Sequence, residues 1–160
     1  MEHLQLTQVP ASNTGLLIRR PVAEVFEAFV DPAITTKFWF TKGSGRLETG
    51  AQVEWTWEMY DVSISVMAKA VEPNQRILIE WPGYSGQTTV EWTFAAQPDG
   101  TTFVTITESG FSGDGDAVLK QVASSTEGFS LVLAGAKAWL EHEIQLNLVA
   151  DRFPKGVAEE

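Results

Sequence analysis

From Ser124 to Ala150 the chain reads SSTEGFSLVLAGAKAWLEHEIQLNLVA, and no other stretch is as long or as regularly striped. Phe129, Val132, Leu133, Ala136, Trp139, Leu140 and Ile144 recur at three- and four-residue steps, the period of one helix face. The spacing predicts a helix over 124–150, opened by Ser124 and Glu127 in the S-x-x-E arrangement of a capping box. Lys137, Glu141, His142, Glu143 and Gln145 fall mostly off the stripe and are expected to face water. Such a helix is ~40 Å long at 1.5 Å per residue, the span of a small domain. The rest of the chain has to cover its apolar side.

The preceding sequence supplies a sheet. After a polar tail, Leu16–Arg20 (LLIRR) is a short strand. Pro21 suits the first turn of a helix, where its missing N–H is no loss. Val22, Val25, Phe26 and Phe29 give that helix an apolar side, and Asp31-Pro32 ends it. A second short helical piece carries Ile34, Phe38 and Trp39, and Thr41–Gly45 reads as a loop. From there the period becomes two. Val53, Trp55, Trp57 and Met59 alternate with polar residues, as do Val62, Ile64, Val66 and Ala68. Ile77, Ile79 and Trp81 form a third run, Val90, Trp92 and Phe94 a fourth, and Val104 with Ile106 a fifth. Turn residues at Tyr60-Asp61, Glu72-Pro73-Asn74, Pro82-Gly83 and Pro98-Asp99-Gly100 separate them. This is an antiparallel meander with one wet face. The class is α+β, a single domain over 1–160 with its core at about 15–150.

Six or seven strands at ~4.8 Å spacing make a sheet ~30 Å wide, whereas a helix with side chains is ~10–12 Å across. One helix cannot cover such a sheet laid flat. The sheet must curl around it, the two short helices must close one end, and large side chains or a ligand must fill the gap. Trp55, Trp57, Trp81 and Trp92 share the apolar parity of their strands, and Trp139 lies near the helix's apolar face. Those groups suit an aromatic-lined pocket. They equally suit a solid core, and pattern does not separate the two.

The order of elements resembles the helix-grip fold of the START-like (SRPBCC) superfamily. More narrowly, the chain is similar to the bacterial homologues of the activator of heat-shock-protein-90 ATPase. The carrying motifs are RPVAEVFEAFVDPAITTKFW (Arg20–Trp39) and EGFSLVLAGAKAWLE (Glu127–Glu141), supported by RILIEWPG (Arg76–Gly83) and TFVTITESGF (Thr102–Phe111). The resemblance spans about residues 15–150. It implies a cavity between curled sheet and long helix, which across the superfamily holds lipids, sterols, polyketides or other apolar molecules. The cochaperone role belongs to eukaryotic members with an additional N-terminal domain. In 160 residues there is no room for one, so chaperone activation is not expected.

Composition narrows the remaining chemistry. With 11 Lys and Arg against 21 Asp and Glu, the net charge of −10 disfavours nucleic acid and anionic membranes. The absence of cysteine removes thiol catalysis and thiolate metal sites. No run is long and apolar enough for a bilayer span and no secretion signal opens the chain, so a cytoplasmic location is the expectation. Of the two histidines, His3 sits in the tail and His142 projects to solvent, so no histidine triad or metal site is expected. Gly43-Ser44-Gly45 lacks the context of a phosphate loop. Glu54, Glu58 and Glu91 decorate the wet face, Asp114 and Asp116 fit helix capping, and Lys42 and Arg46 either guard a pocket mouth or are surface charges. Glu108 continues the inward parity of Val104 and Ile106. It is expected at the solvated rim before Gly110; pointing inward, it would be an acid, base or polar anchor.

The leading expectation is a carrier of a small apolar or aromatic molecule, without cofactor or metal, either monomeric or paired through a sheet edge. Its ligand-binding residues would be Trp39, Trp55, Trp57, Trp81, Trp92, Phe129, Leu133 and Trp139, with Glu108 as polar contact. The alternatives are an enzyme of cyclase or hydrolase type using Glu108, and an interaction module working through the acidic surface.

Overall fold

The computed structural model describes residues 4–156, so His3 lies outside the described residues. The elements follow the order β1 (Ser12–Ile18), α1 (Val22–Val30), α2 (Pro32–Thr35), β2 (Lys42–Gly43), β3 (Gln52–Trp57), β4 (Val62–Glu72), β5 (Arg76–Gly83), β6 (Gly86–Ala96), β7 (Thr102–Ser109), α3 (Gly115–His142) and α4 (Leu148–Arg152). The seven strands form one antiparallel sheet in the order β1-β7-β6-β5-β4-β3-β2, curved around α3 in the helix-grip arrangement. Alternation decides its inner face. Val53, Trp55 and Trp57, then Val90, Trp92 and Phe94, then Val104 and Ile106 are all buried. No helix among the described residues is long and apolar enough to cross a membrane.

Several boundaries differ from the sequence reading. β1 begins at Ser12 and ends before Arg19. Lys42 and Gly43 pair with Thr56 and Trp55, so the expected loop supplies a two-residue edge strand. Met59 leaves its alternation in a 3-10 turn at Glu58–Tyr60 and is exposed. The largest correction concerns α3. It starts nine residues before Ser124, where the Asp114 carboxylate accepts from the Ala117 N–H at 2.8 Å. Ser124 and Glu127 are therefore mid-helix and cap nothing. The first turns escape the apolar pattern because Gln121 and Ser125 occupy their inward positions while Leu119 faces water. The helix stops at His142. Glu143 takes a left-handed conformation (φ 54°), its N–H reaches back to the Ala138 and Trp139 carbonyls, and Ile144 stands 51% exposed outside the helix.

Lys137 and Glu141 also depart from expectation. Lys137 Nζ donates to the Leu17 carbonyl at 2.7 Å, and the Arg19 N–H donates to Glu141 Oε2 at 2.8 Å. With the Thr14–Ser130 hydroxyl pair (2.9 Å) and the Ser12–Ser125 pair (2.7 Å), they hold α3 along the β1 edge. That covers an edge that would otherwise be open to pairing with another chain. Elsewhere α3 comes close to the turn after α2: a Cβ on Gly135 would lie 3.1 Å from Phe38 Cβ and 3.3 Å from the Phe38 carbonyl oxygen.

Burial pushes the Glu141 carboxyl up, but Lys137, the Arg19 N–H and His142 outweigh it and hold it below the usual glutamate value. A depressed folded-state value contributes stability above the unfolded value, and that stability is lost as pH falls through the folded one. Glu141→Gln is therefore expected to be less stable than wild type at pH 7. The gap should shrink on acidification below about pH 4.5. Urea denaturation across that range measures it, and a gap constant with pH would contradict the assignment.

Candidate functional site

The inner face does not fill completely. A cavity of ≈ 510 Å³ remains between strands β3–β5 and the first half of α3. Its aromatic floor is built around Trp39, which follows the Asp31-capped α2 and meets six rings at centroid distances of 4.9–6.1 Å. Trp81 stacks on Phe129 from α3 (5.8 Å, 25°), and Trp57 closes the side towards β3. At the outer end, α4 folds back. Tyr60 Oη donates to the Val149 carbonyl, the Phe153 ring meets Tyr60 edge-on (6.3 Å, 72°), and Arg152 pairs with Glu127 at 2.5 Å.

Glu108 lies on the cavity wall and is 6% exposed, not at the solvated rim. Strand parity turns it inward, and a polar belt across four strands holds it. Ser12 of β1 is its register partner, Thr88 of β6 sits two residues from its other partner Val90, and Trp81 of β5 pairs with Thr88. Trp81 Nε1–H donates to Glu108 Oε2 at 2.9 Å and the Thr88 hydroxyl donates to the same oxygen at 2.5 Å. From α3, the Ser125 hydroxyl donates to Oε1 at 2.6 Å. Three donors converging on two oxygens is the pattern of an acceptor-only carboxylate. Among the described residues no cation pairs with it.

Of the residues singled out from sequence, Trp39, Trp57, Trp81, Glu108 and Phe129 line the cavity. Trp55, Trp92 and Leu133 do not; they are packed out of reach in the layer behind. Trp92 Nε1 is buried without a hydrogen-bond partner, and the Trp92 and Phe129 rings meet in a T-shaped arrangement (6.0 Å, 85°). Trp139 lies towards the far end of α3, outside the cavity, with Lys37 Nζ 5.3 Å from its ring centre. Arg46 forks onto Glu27 at 2.5 and 2.8 Å and Lys42 is an exposed strand residue, so neither guards the mouth. The sequence reading missed Tyr60, Gln121, Ser125, Val149 and Phe153. Ser125 and Gln121 interrupt an apolar face, a signal visible only once the helix start is placed at Asp114. No group of acidic or histidine residues among the described ones could hold a metal ion.

Comparison with known proteins places this geometry. A family model described as Activator of Hsp90 ATPase homolog 1-like protein matches residues 19–141. A crystal structure of a Staphylococcus saprophyticus protein is 32% identical, with a TM-score of 0.74, covering 86% of this chain and 96% of that one. The solution structure of the Aha1 dimer from Colwellia psychrerythraea (17% identity, TM-score 0.71, 83% and 97% covered) shares the fold. So does CalU16 from Micromonospora echinospora (16%, 0.66, 96% of both chains). No curated protein matches. With a family model spanning most of its length and the helix-grip architecture around α3, the chain belongs to the Activator of Hsp90 ATPase homolog 1-like family within the START-like superfamily.

Proposed function

We propose that the protein binds a small hydrophobic or aromatic molecule in the cavity between the curved sheet and α3. The observation that carries this reading is the ≈ 510 Å³ left open beside Trp39, Trp57, Trp81 and Phe129. A volume of that order suits a drug-sized molecule, and an apolar wall with a few placed polar groups is the usual make-up of such sites. Acid–base catalysis by Glu108 has less support, because Trp81, Thr88 and Ser125 all donate to it and hold it as a fixed acceptor.

The test is native mass spectrometry of the protein as purified from cells, beside a denatured sample, followed by titration with an apolar fluorescent probe. The expected result is a saturable change in tryptophan fluorescence, weakened about tenfold or more by Trp81→Ala, which removes the ring stacked on Phe129. Any ligand retained from cells would appear as added mass lost on denaturation. A bare mass together with no saturable probe binding would overturn the reading.

A further inference from the structure

The charge on the cavity wall is unbalanced. Three charged residues among those described line the cavity: Glu108, Glu127 and Arg152. Glu127 and Arg152 pair with each other near the outer end, where both side chains are nearly half exposed, and cancel. Among the described residues that leaves Glu108 as the one charged group on the wall without a charged partner, beside indole and phenyl rings. Its three hydrogen bonds come from neutral donors, and a carboxylate oxygen has two acceptor positions, so Oε1, with one donor, keeps a position free. A neutral apolar occupant packed against this carboxylate would leave its remaining acceptor position and its charge without a partner, which is costly.

Accordingly, and resting on the binding reading above, we propose that the occupant is an organic cation: an apolar body carrying an amine or quaternary ammonium group. Its positive end would lie towards Glu108 and against the faces of Trp39, Trp81 and Phe129. These supply what recognises such a group, a carboxylate for charge and electron-rich ring faces for cation–π attraction. The three rings stand within 6 Å of one another, centre to centre, so a single ammonium group can reach more than one. The fixed donors of the belt hold the carboxylate in place before any ligand arrives, which lowers the ordering cost of binding.

The experiment is equilibrium dialysis of the full-length protein with two probes of the same shape, 2-naphthylmethyl-trimethylammonium and its uncharged carbon isostere 2-neopentylnaphthalene. At physiological salt the cation is expected to bind about tenfold or more tighter than the isostere. Glu108→Gln should erase most of that preference, weakening the cation and leaving the isostere bound at least as tightly as by wild type, because the cost of burying the charge beside it is gone. Glu54→Gln, which removes an exposed acid outside the cavity, should leave both affinities unchanged and so separates the site from general attraction to an acidic protein. Equal or tighter binding of the isostere by wild type would overturn the cation proposal while the cavity reading stands. A preference retained in Glu108→Gln would also overturn it, and failure of both probes to bind would overturn the cavity reading itself.

Discussion

Replacing Trp39 by alanine is expected to remove about 3–5 kcal/mol of stability, the range for emptying a buried large aromatic site. The side chain is only 7% exposed and is the common neighbour of Phe40, Trp55, Trp57, Trp81, Trp92 and Phe129. Those rings come from β3, β5, β6, α3 and the turn after α2, so the indole ties that turn to three strands and the long helix. Domain stabilities are of order 5–15 kcal/mol, which brings the variant close to the limit of folding. Urea denaturation followed by far-UV circular dichroism measures the effect, and Trp39→Phe should recover a large part of it. A midpoint shift equivalent to less than about 1 kcal/mol would show that the rings pack adequately without their centre.

Glu108→Ala is expected to cost about 2–3 kcal/mol through a different mechanism. No comparable apolar contact is lost; three donors lose their acceptor. Trp81 Nε1–H can still reach the Thr88 hydroxyl at 3.0 Å, and Ser125 keeps Ser12 at 2.7 Å, so the loss is smaller than three full desolvation penalties. Glu108→Gln retains one carbonyl oxygen and should fall between alanine and wild type. The measurement is again urea denaturation, read beside hydrogen exchange at the ends of β5, β6 and β7 nearest the belt. If Glu108→Ala were as stable as wild type, the belt would contribute nothing to the fold and the carboxylate would serve the cavity alone. Both variants alter the cavity wall, so the stability measurement has to precede any binding experiment on either one.

Local pattern carried much of this architecture. Val53, Trp55 and Trp57, and then Val104, Ile106 and Glu108, point inward because a strand's side chains alternate, and that period is written into the residues themselves. Asp31-Pro32 divides α1 from α2 for an equally local reason: the carboxylate caps Ala33 at 2.9 Å, and proline is tolerated at a helix start. The long helix was legible from Phe129 to Ala136, where apolar side chains meet the core. It was misread at its ends, because Gln121 and Ser125 replace that stripe at one and Ile144 and Leu146 imitate it at the other.

Tertiary structure alone decided the site. The belt around Glu108 gathers positions 12, 81, 88 and 125, which only register and sheet curvature bring together, so no window of sequence contains it. Lys137 and Glu141 look like solvated charges until β1 is laid beside them. The sequence by itself determined that a tryptophan-rich sheet would curl around one long helix, because the widths of sheet and helix allow no other cover. Whether that space closes or stays open depends on differences of a few ångströms among side chains distant in sequence. Packing resolves those differences, and hydrophobic periodicity does not encode them.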